Sequence, residues 1–154
     1  MTSAINQLDN TILPWLGKAN KAIDLFISDT FMLHGMELTK AQFIILKVLC
    51  RKDGIPQNEL AFVTDRDKTS LTRLIATMER KNLIRREHDQ NDKRINHVFI
   101  TSKGKTEINN ALPAIMKVVE SVQKNISREE LNTTIKVLGK IKDNLMVQET
   151  QDKE

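Results

Sequence analysis

Asp67-Lys68-Thr69-Ser70-Leu71-Thr72-Arg73-Leu74-Ile75-Ala76-Thr77-Met78-Glu79-Arg80-Lys81 is the stretch on which the fold of this 154-residue chain turns. Leu71, Leu74, Ile75 and Met78 follow the i, i+3, i+4, i+7 spacing of a helix that buries one stripe. Asp67 stands where an N-cap is needed, its side-chain oxygen free to accept from the first turn. Thr69, Thr72, Arg73, Ala76 and Arg80 fall on the opposite face, flanked by Ser70 and Thr77. These side chains are small, hydroxylated or basic. Such a face approaches a phosphate backbone closely and offers hydrogen bonds to phosphates and base edges. Solvated helix faces are also polar, so the neighbouring segments decide between the two readings.

Upstream, Thr39-Lys40-Ala41-Gln42 has the form of a capping box and opens an apolar helix through Phe43, Ile45, Leu46 and Leu49, ending near Arg51. Lys52-Asp53-Gly54 is a turn, and Pro56 suits the first turn of a short helix over Gln57–Val63. Two short helices and a tight turn ahead of a polar second helix make a helix-turn-helix. Downstream, Leu83–Glu87 and Ile95–Ile100 read as strands around the turn Asp89-Gln90-Asn91-Asp92. A hairpin directly after a helix-turn-helix is a wing. Its tip, Asp92-Lys93-Arg94, carries cations suited to the negative potential of a minor groove.

The ends of the chain are helical as well. Leu8, Ile12, Leu16, Ile23 and Ile27 keep helical spacing, with entry near Pro14 and a stop at Gly35. Thr101-Ser102-Lys103-Gly104 opens a further helix that Pro113 should kink or break, and Ser127-Arg128-Glu129-Glu130 is a capping box for the last one. The fold class is therefore mainly α with a small β-hairpin wing. A winged helix-turn-helix lobe over 38–101 is flanked by helical elements at 1–37 and 102–147, and 148–154 form a frayed polar tail. The apolar faces of the flanking helices exceed what the lobe covers, which points to a C₂ homodimer.

Charge and composition agree. Residues 66–105 hold eleven Lys and Arg against five acids, whereas the whole chain carries only +4. A basic excess confined to one segment is the footprint of a nucleic-acid surface. No apolar run approaches the roughly 18 residues of a membrane span. The start of the sequence has neither a basic region nor an apolar run typical of a signal peptide. One cysteine, Cys50, forms no internal disulfide, which suits a cytoplasmic protein; ending the apolar run 43–49, it is expected in the core. His34, His88 and His97 lack metal-ligand spacing, and no phosphate loop or nucleophile elbow is present, so neither cofactor nor enzymatic activity is expected.

From Leu38 to Gly104 the chain resembles the MarR family of bacterial winged-helix transcription regulators. The likeness rests on Leu38-Thr39-x-x-Gln42-Phe43, Glu59-Leu60-Ala61, Asp67 to Ile75, Met78 to Arg86, the wing Asp92-Lys93-Arg94, and Ile100-Thr101-x-x-Gly104, in that order. It implies a homodimer on a pseudo-palindromic double-stranded DNA operator. Lys68, Thr69, Ser70, Thr72, Arg73 and Lys93 would contact DNA, Arg94 would enter the minor groove, and Asp92 would hold the wing arginine in place. It also implies release of DNA by a small anionic or phenolic effector, or in some members by cysteine oxidation. Trp15, Phe26, Phe31 and His34 are candidate cleft residues, although each is more simply placed in the core. Asn82 stands where the family usually has glycine, a replacement that can also adopt a left-handed backbone.

A winged helix can also serve as a protein-interaction module without operator binding. That alternative leaves the basic segment unexplained, and it predicts aromatic or aliphatic anchors where the 67–81 helix carries hydroxyls and cations.

Overall fold

The computed structural model describes residues 8–151. Residues 1–7, which bear on the expected lack of a leader, and 152–154 of the expected frayed tail lie outside the described residues. In chain order the elements are α1 (Ile12–Leu33), α2 (Lys40–Arg51), β1 (Ile55–Pro56), α3 (Gln57–Val63), α4 (Lys68–Arg80), β2 (Ile84–His88), β3 (Asn96–Ile100), α5 (Ser102–Gln123) and α6 (Arg128–Gln151). This is the winged helix-turn-helix order that the sequence pattern predicts. The chain forms two compact units, one ending at Val118 and one beginning at Val119.

Local chemistry sets the helix boundaries of the first unit. Thr39 and Gln42 close a reciprocal capping box, Gln42 N donating to Thr39 Oγ1 at 3.2 Å and Thr39 N to Gln42 Oε1 at 3.1 Å. Asp67 caps α4 by accepting from Ser70 N at 2.7 Å. Helices α1, α3 and α4 each stop at a left-handed residue: Gly35, Asp65 and Asn82, with φ of 63°, 49° and 57°. In each case the next N–H reaches back to a carbonyl in the last turn: Met36 to Phe31, Arg66 to Ala61 and Leu83 to Met78, at 2.9–3.0 Å. Asn82 thus takes a left-handed backbone shape that glycine adopts freely and that short polar side chains tolerate.

The lobe packs around Ile45, Leu46, Leu60, Leu71, Ile75, Met78, Ile84 and Val98, all at most 1% exposed. Each such side chain contributes about 1.5–3 kcal/mol by burial, so this cluster is what holds α4 to the lobe with its polar face outward. Leu74, the fourth residue of the expected stripe, is only partly buried and packs on the edge of the core.

Three local expectations need correction. The wing is part of a three-stranded antiparallel sheet, order β1-β3-β2, rather than a lone hairpin. Two residues, Ile55 opposite Val98 and Pro56 opposite His97, form the added strand, too few to show alternation in the sequence. Pro56 accordingly sits in an edge strand, where its missing N–H is tolerated, and also caps α3 instead of lying in its first turn. Of the kink or break expected at Pro113, the break does not occur: α5 runs through it.

Several side chains also lie elsewhere than expected. Cys50 is exposed rather than in the core. It lines an open cleft of about 450 Å³ with Leu49, Arg51, Asp53, Ile100, Lys105, Ile108 and Asn109, in the last turn of α2 where the buried stripe has ended at Leu49. Of the candidate cleft residues, Phe31 is core, meeting Phe43 edge-on at 6.3 Å. Trp15 and Phe26 are 65% and 43% exposed, and His34 is exposed, so the single chain does not bury them.

In the second unit, Ser127 and Glu130 form the expected capping box, Ser127 N donating to Glu130 Oε2 at 2.8 Å and Glu130 N to Ser127 Oγ at 3.2 Å. Helix α6 then continues to Gln151, beyond the boundary expected at 147. Ile135, Leu138 and Leu145 on this helix are exposed.

Candidate nucleic-acid interface

Two elements of the lobe present the residues singled out in the sequence. On α4, Lys68, Thr69, Thr72 and Arg73 are exposed and Ser70 is half-buried, all within the first two turns. Among the described residues, no acid pairs with Lys68, Arg73 or Lys93. Their charge is available to an outside partner.

The tip of the wing is more tightly built than its exposure suggests. Arg94 grips Asp92 through a two-pronged contact, Nε to Oδ1 and Nη2 to Oδ2, both 3.0 Å, while its backbone N–H also donates to Oδ1. The guanidinium side chain is nonetheless 91% exposed. The fork geometry fixes its direction, and the remaining N–H groups face solvent. Hydrogen bonds from Arg94 hold the Asp92 carboxyl below its usual pKa, and the same pairing raises that of Arg94.

Behind the tip lies a second fastening that the sequence reading missed. Asp89 accepts from the backbone N–H of Asn91 and Asp92 at 2.8 and 3.0 Å, shaping the turn. The His97 ring bridges from this turn to the loop before β1, with Nε2 on Asp89 Oδ2 at 3.0 Å and Nδ1 on the Gly54 carbonyl at 2.8 Å. Both partners are pure acceptors, so only the imidazolium satisfies both contacts. The bond to Gly54 and then that to Asp89 raise the His97 pKa, whereas the Asn91 and Asp92 amides and then His97 lower that of Asp89.

The sign of the pH dependence follows. His97 contributes stability that is complete below its ordinary value of 6.5 and lost as pH rises through its raised value. Asp89 and Asp92 contribute stability that is present above the ordinary carboxylate value of 3.8 and lost as pH falls through their lowered ones. The wing is therefore held best in mild acid. An NMR titration of the His97 ring is expected to give a midpoint above 6.5, and Asp89→Asn is expected to bring it down. A wild-type midpoint at or below 6.5 contradicts the fastening.

A third tie joins wing to helix: the Glu79 carboxylate of α4 accepts from Arg86 N, Nε and Nη2 on β2 at 3.2, 3.0 and 2.6 Å. These bonds keep the Glu79 pKa low. On the outer face of the sheet, Arg85 stacks over Phe99 at 4.5 Å and also pairs with Glu87. The α4 helix and the wing thus belong to one fastened body. The Asp92–Arg94 pairing was expected from the family resemblance. Glu79–Arg86, His97–Asp89 and Gln57, whose amide Nε2 reaches Thr72 Oγ1 at 3.0 Å, depend on tertiary placement.

The sequence profile of the MarR family matches residues 38–95, the stretch that carries most of this geometry and stops just short of β3. Transcriptional regulator HosA of Escherichia coli O157:H7 is 32% identical over 105 residues, which cover 68% of this chain and 78% of that protein. The chain belongs to the MarR family. The HTH-type transcriptional repressor YetL of Bacillus subtilis strain 168 is 28% identical over 140 residues, 85% of this chain and 84% of its own. Among solved structures, a cysteine-to-serine mutant of MarR from E. coli complexed with operator DNA superposes with a TM-score of 0.77 at 23% identity, covering 84% of this chain and 92% of that one. As a MarR-family protein, this chain is a DNA-binding transcription regulator and not an enzyme. Among the described residues no helix is long and apolar enough to cross a membrane.

Proposed function

We propose that this MarR-family regulator is a cytoplasmic repressor that binds a pseudo-palindromic operator as a homodimer. In each copy α4 would enter the major groove and the wing the adjacent minor groove. The observation that carries the reading is the pairing, on one body, of unpartnered cations and small hydroxylated residues on α4 with a rigidly aimed Arg94 on the wing. Lys68, Thr69, Ser70, Thr72, Arg73, Lys93 and Arg94 are the proposed DNA contacts, with Asp92 orienting Arg94.

Exposed apolar side chains support the homodimer. Helix α1 leaves Leu13, Trp15, Leu25, Phe26, Met32 and Leu33 uncovered, and in the second unit Val119, Val122, Ile135 and Leu138 are uncovered too. A solvated monomer rarely exposes so many large side chains on a few helices. A second copy covers them and sets two reading heads about one helical turn apart.

Fluorescence-anisotropy titration tests the reading, using DNA from upstream of the gene and a scrambled control at two salt concentrations. Tighter binding to the upstream DNA, weakening steeply with salt, is the expected result. No binding to either DNA at low salt would move the protein to the interaction-module reading. A small anionic or phenolic effector, implied by the family, is then sought as a compound that dissociates the complex.

A further inference from the structure

Gln57 is the first residue of α3, and its amide does two unusual things. Nε2 donates to Thr72 Oγ1 on α4 at 3.0 Å. Oε1, enclosed by protein, is the one buried side-chain oxygen without a hydrogen-bond partner among the described residues. Turning the amide over does not help: it would bury two N–H donors in place of one acceptor. An unpaired buried acceptor costs the free protein stability that an apolar side chain of the same size would not. The bond to Thr72 is what the glutamine gives in return.

That bond completes the hydroxyl of Thr72. Its proton already goes to the Lys68 carbonyl, one turn back, at 2.7 Å. With the donor spent and one lone pair taken by Gln57, Thr72 has only its methyl group and one lone pair left for a partner. It cannot donate to a phosphate, nor to O6 or N7 of guanine. A methyl group in the major groove does have a partner, the C5-methyl of thymine. Ala76, one turn further along the same face, extends the small apolar strip. Neighbouring hydroxyls differ: Ser70 Oγ only accepts, from Arg66 at 3.4 Å, and the Thr69 side chain has no bond among the described residues, so both keep their donors.

We propose that Gln57 is a positioning residue that makes Thr72 a reader of a thymine methyl group. The inference rests on the operator-binding reading above and names what one position of that surface recognises. Gln57 itself need not touch DNA.

The test uses the full-length protein and a duplex that it selects from a random-sequence pool. Each thymine of that duplex is replaced in turn by uracil, which lacks only the methyl group, and affinity is read by anisotropy at fixed salt. One thymine in each half-site is expected to be sensitive, with a loss of about fourfold per methyl group, the value of one buried carbon. Thr72→Val keeps the methyl and is expected to keep that sensitivity. Thr72→Ser keeps the hydroxyl without the methyl and is expected to lose it. Gln57→Leu fills the same volume without the amide. It is expected to reduce the thymine-over-uracil preference to under about twofold while leaving affinity for scrambled DNA unchanged. A merely structural role for Gln57 would lower affinity for both DNAs and leave the preference intact, which overturns the positioning role. Absence of any uracil-sensitive thymine, or equal sensitivity in Thr72→Ser, overturns the methyl readout. Failure of the protein to select any duplex removes the operator-binding reading, and this inference with it, before the uracil series begins.

Discussion

Gly104→Ala is expected to destabilise the winged lobe by about 3 kcal/mol, at the upper end for overpacking a core. An added Cβ would lie 2.1 Å from the Leu83 carbonyl oxygen, 3.1 Å from its carbon and 2.9 Å from Ile100 Cγ1. Two of these are backbone atoms and have little freedom to retreat. Leu83 O accepts from Thr101 N at 3.1 Å, Leu83 N donates to Met78 O at 3.0 Å, and Thr101 Oγ1 ties the Asn82 carbonyl at 2.7 Å. Helix α4, the wing and α5 converge at this junction, so relief at one requires movement of all three. Alanine is worth about 1 kcal/mol more than glycine inside a helix, which the collision outweighs.

Gly139→Ala is the matched control. Gly139 also lies within a helix, α6, but an added Cβ meets nothing within 4 Å. There helix propensity acts alone and stability is expected to rise by up to about 1 kcal/mol. Urea denaturation followed by circular dichroism separates the two substitutions by the sign of the midpoint shift. Equal midpoints for Gly104→Ala and the wild type would show that the junction yields more freely than its hydrogen bonds imply.

The junction also shows where sequence and structure part. The motif Ile100-Thr101-x-x-Gly104 marked a helix start, and Asp67, Thr39 and Ser127 marked three others, because a cap is a local transaction between residues three apart. The stripe Leu71, Ile75, Met78 was legible for a related reason, since helical periodicity translates directly into one buried face. Why Gly104 must be glycine was not legible, because the obstacle is the carbonyl of Leu83, a residue remote in the chain and brought close only by the fold. β1 escaped notice through brevity. Cys50 was misplaced because an apolar run in sequence does not say which of its members faces out, and helix α2 buries Leu49 but not its neighbour. Trp15 and Phe26, offered as cleft candidates and more simply placed in a core, meet no such core in a single chain. The cations of the candidate interface were visible as a basic segment, whereas their aim was not. Arg94 is aimed by Asp92 two residues away, as the family resemblance implied, but the wing that carries it is pinned by His97 on Gly54, 43 residues distant.

Arg94→Ala and Arg73→Ala are expected to damage DNA binding in different ways, and the difference separates the two surfaces. Arg94 sits on the wing with its guanidinium direction fixed by Asp92 and its outer N–H groups free. A cation held at a minor groove meets phosphates and groove shape, which differ little between sequences. Its removal is expected to weaken operator and scrambled DNA by the same factor and to reduce the slope of log affinity against log salt by about one for each half-site. Arg73 lies on the exposed face of α4 with no acidic partner among the described residues, and in the proposed complex it would reach base edges in the major groove. Its removal is expected to cost about 1–3 kcal/mol on the operator and much less on scrambled DNA, so that discrimination collapses faster than affinity. Asp92→Asn refines the comparison. It leaves the Arg94 charge in place while weakening the fork that aims it. An affinity between those of the wild type and Arg94→Ala, with the wild-type salt slope, is the result that assigns Asp92 to aim rather than to charge. Equal losses on both DNAs for Arg73→Ala would instead make α4 a phosphate-binding helix, and sequence discrimination would have to come from Thr69, Ser70 and Thr72 or from the shape of the operator itself.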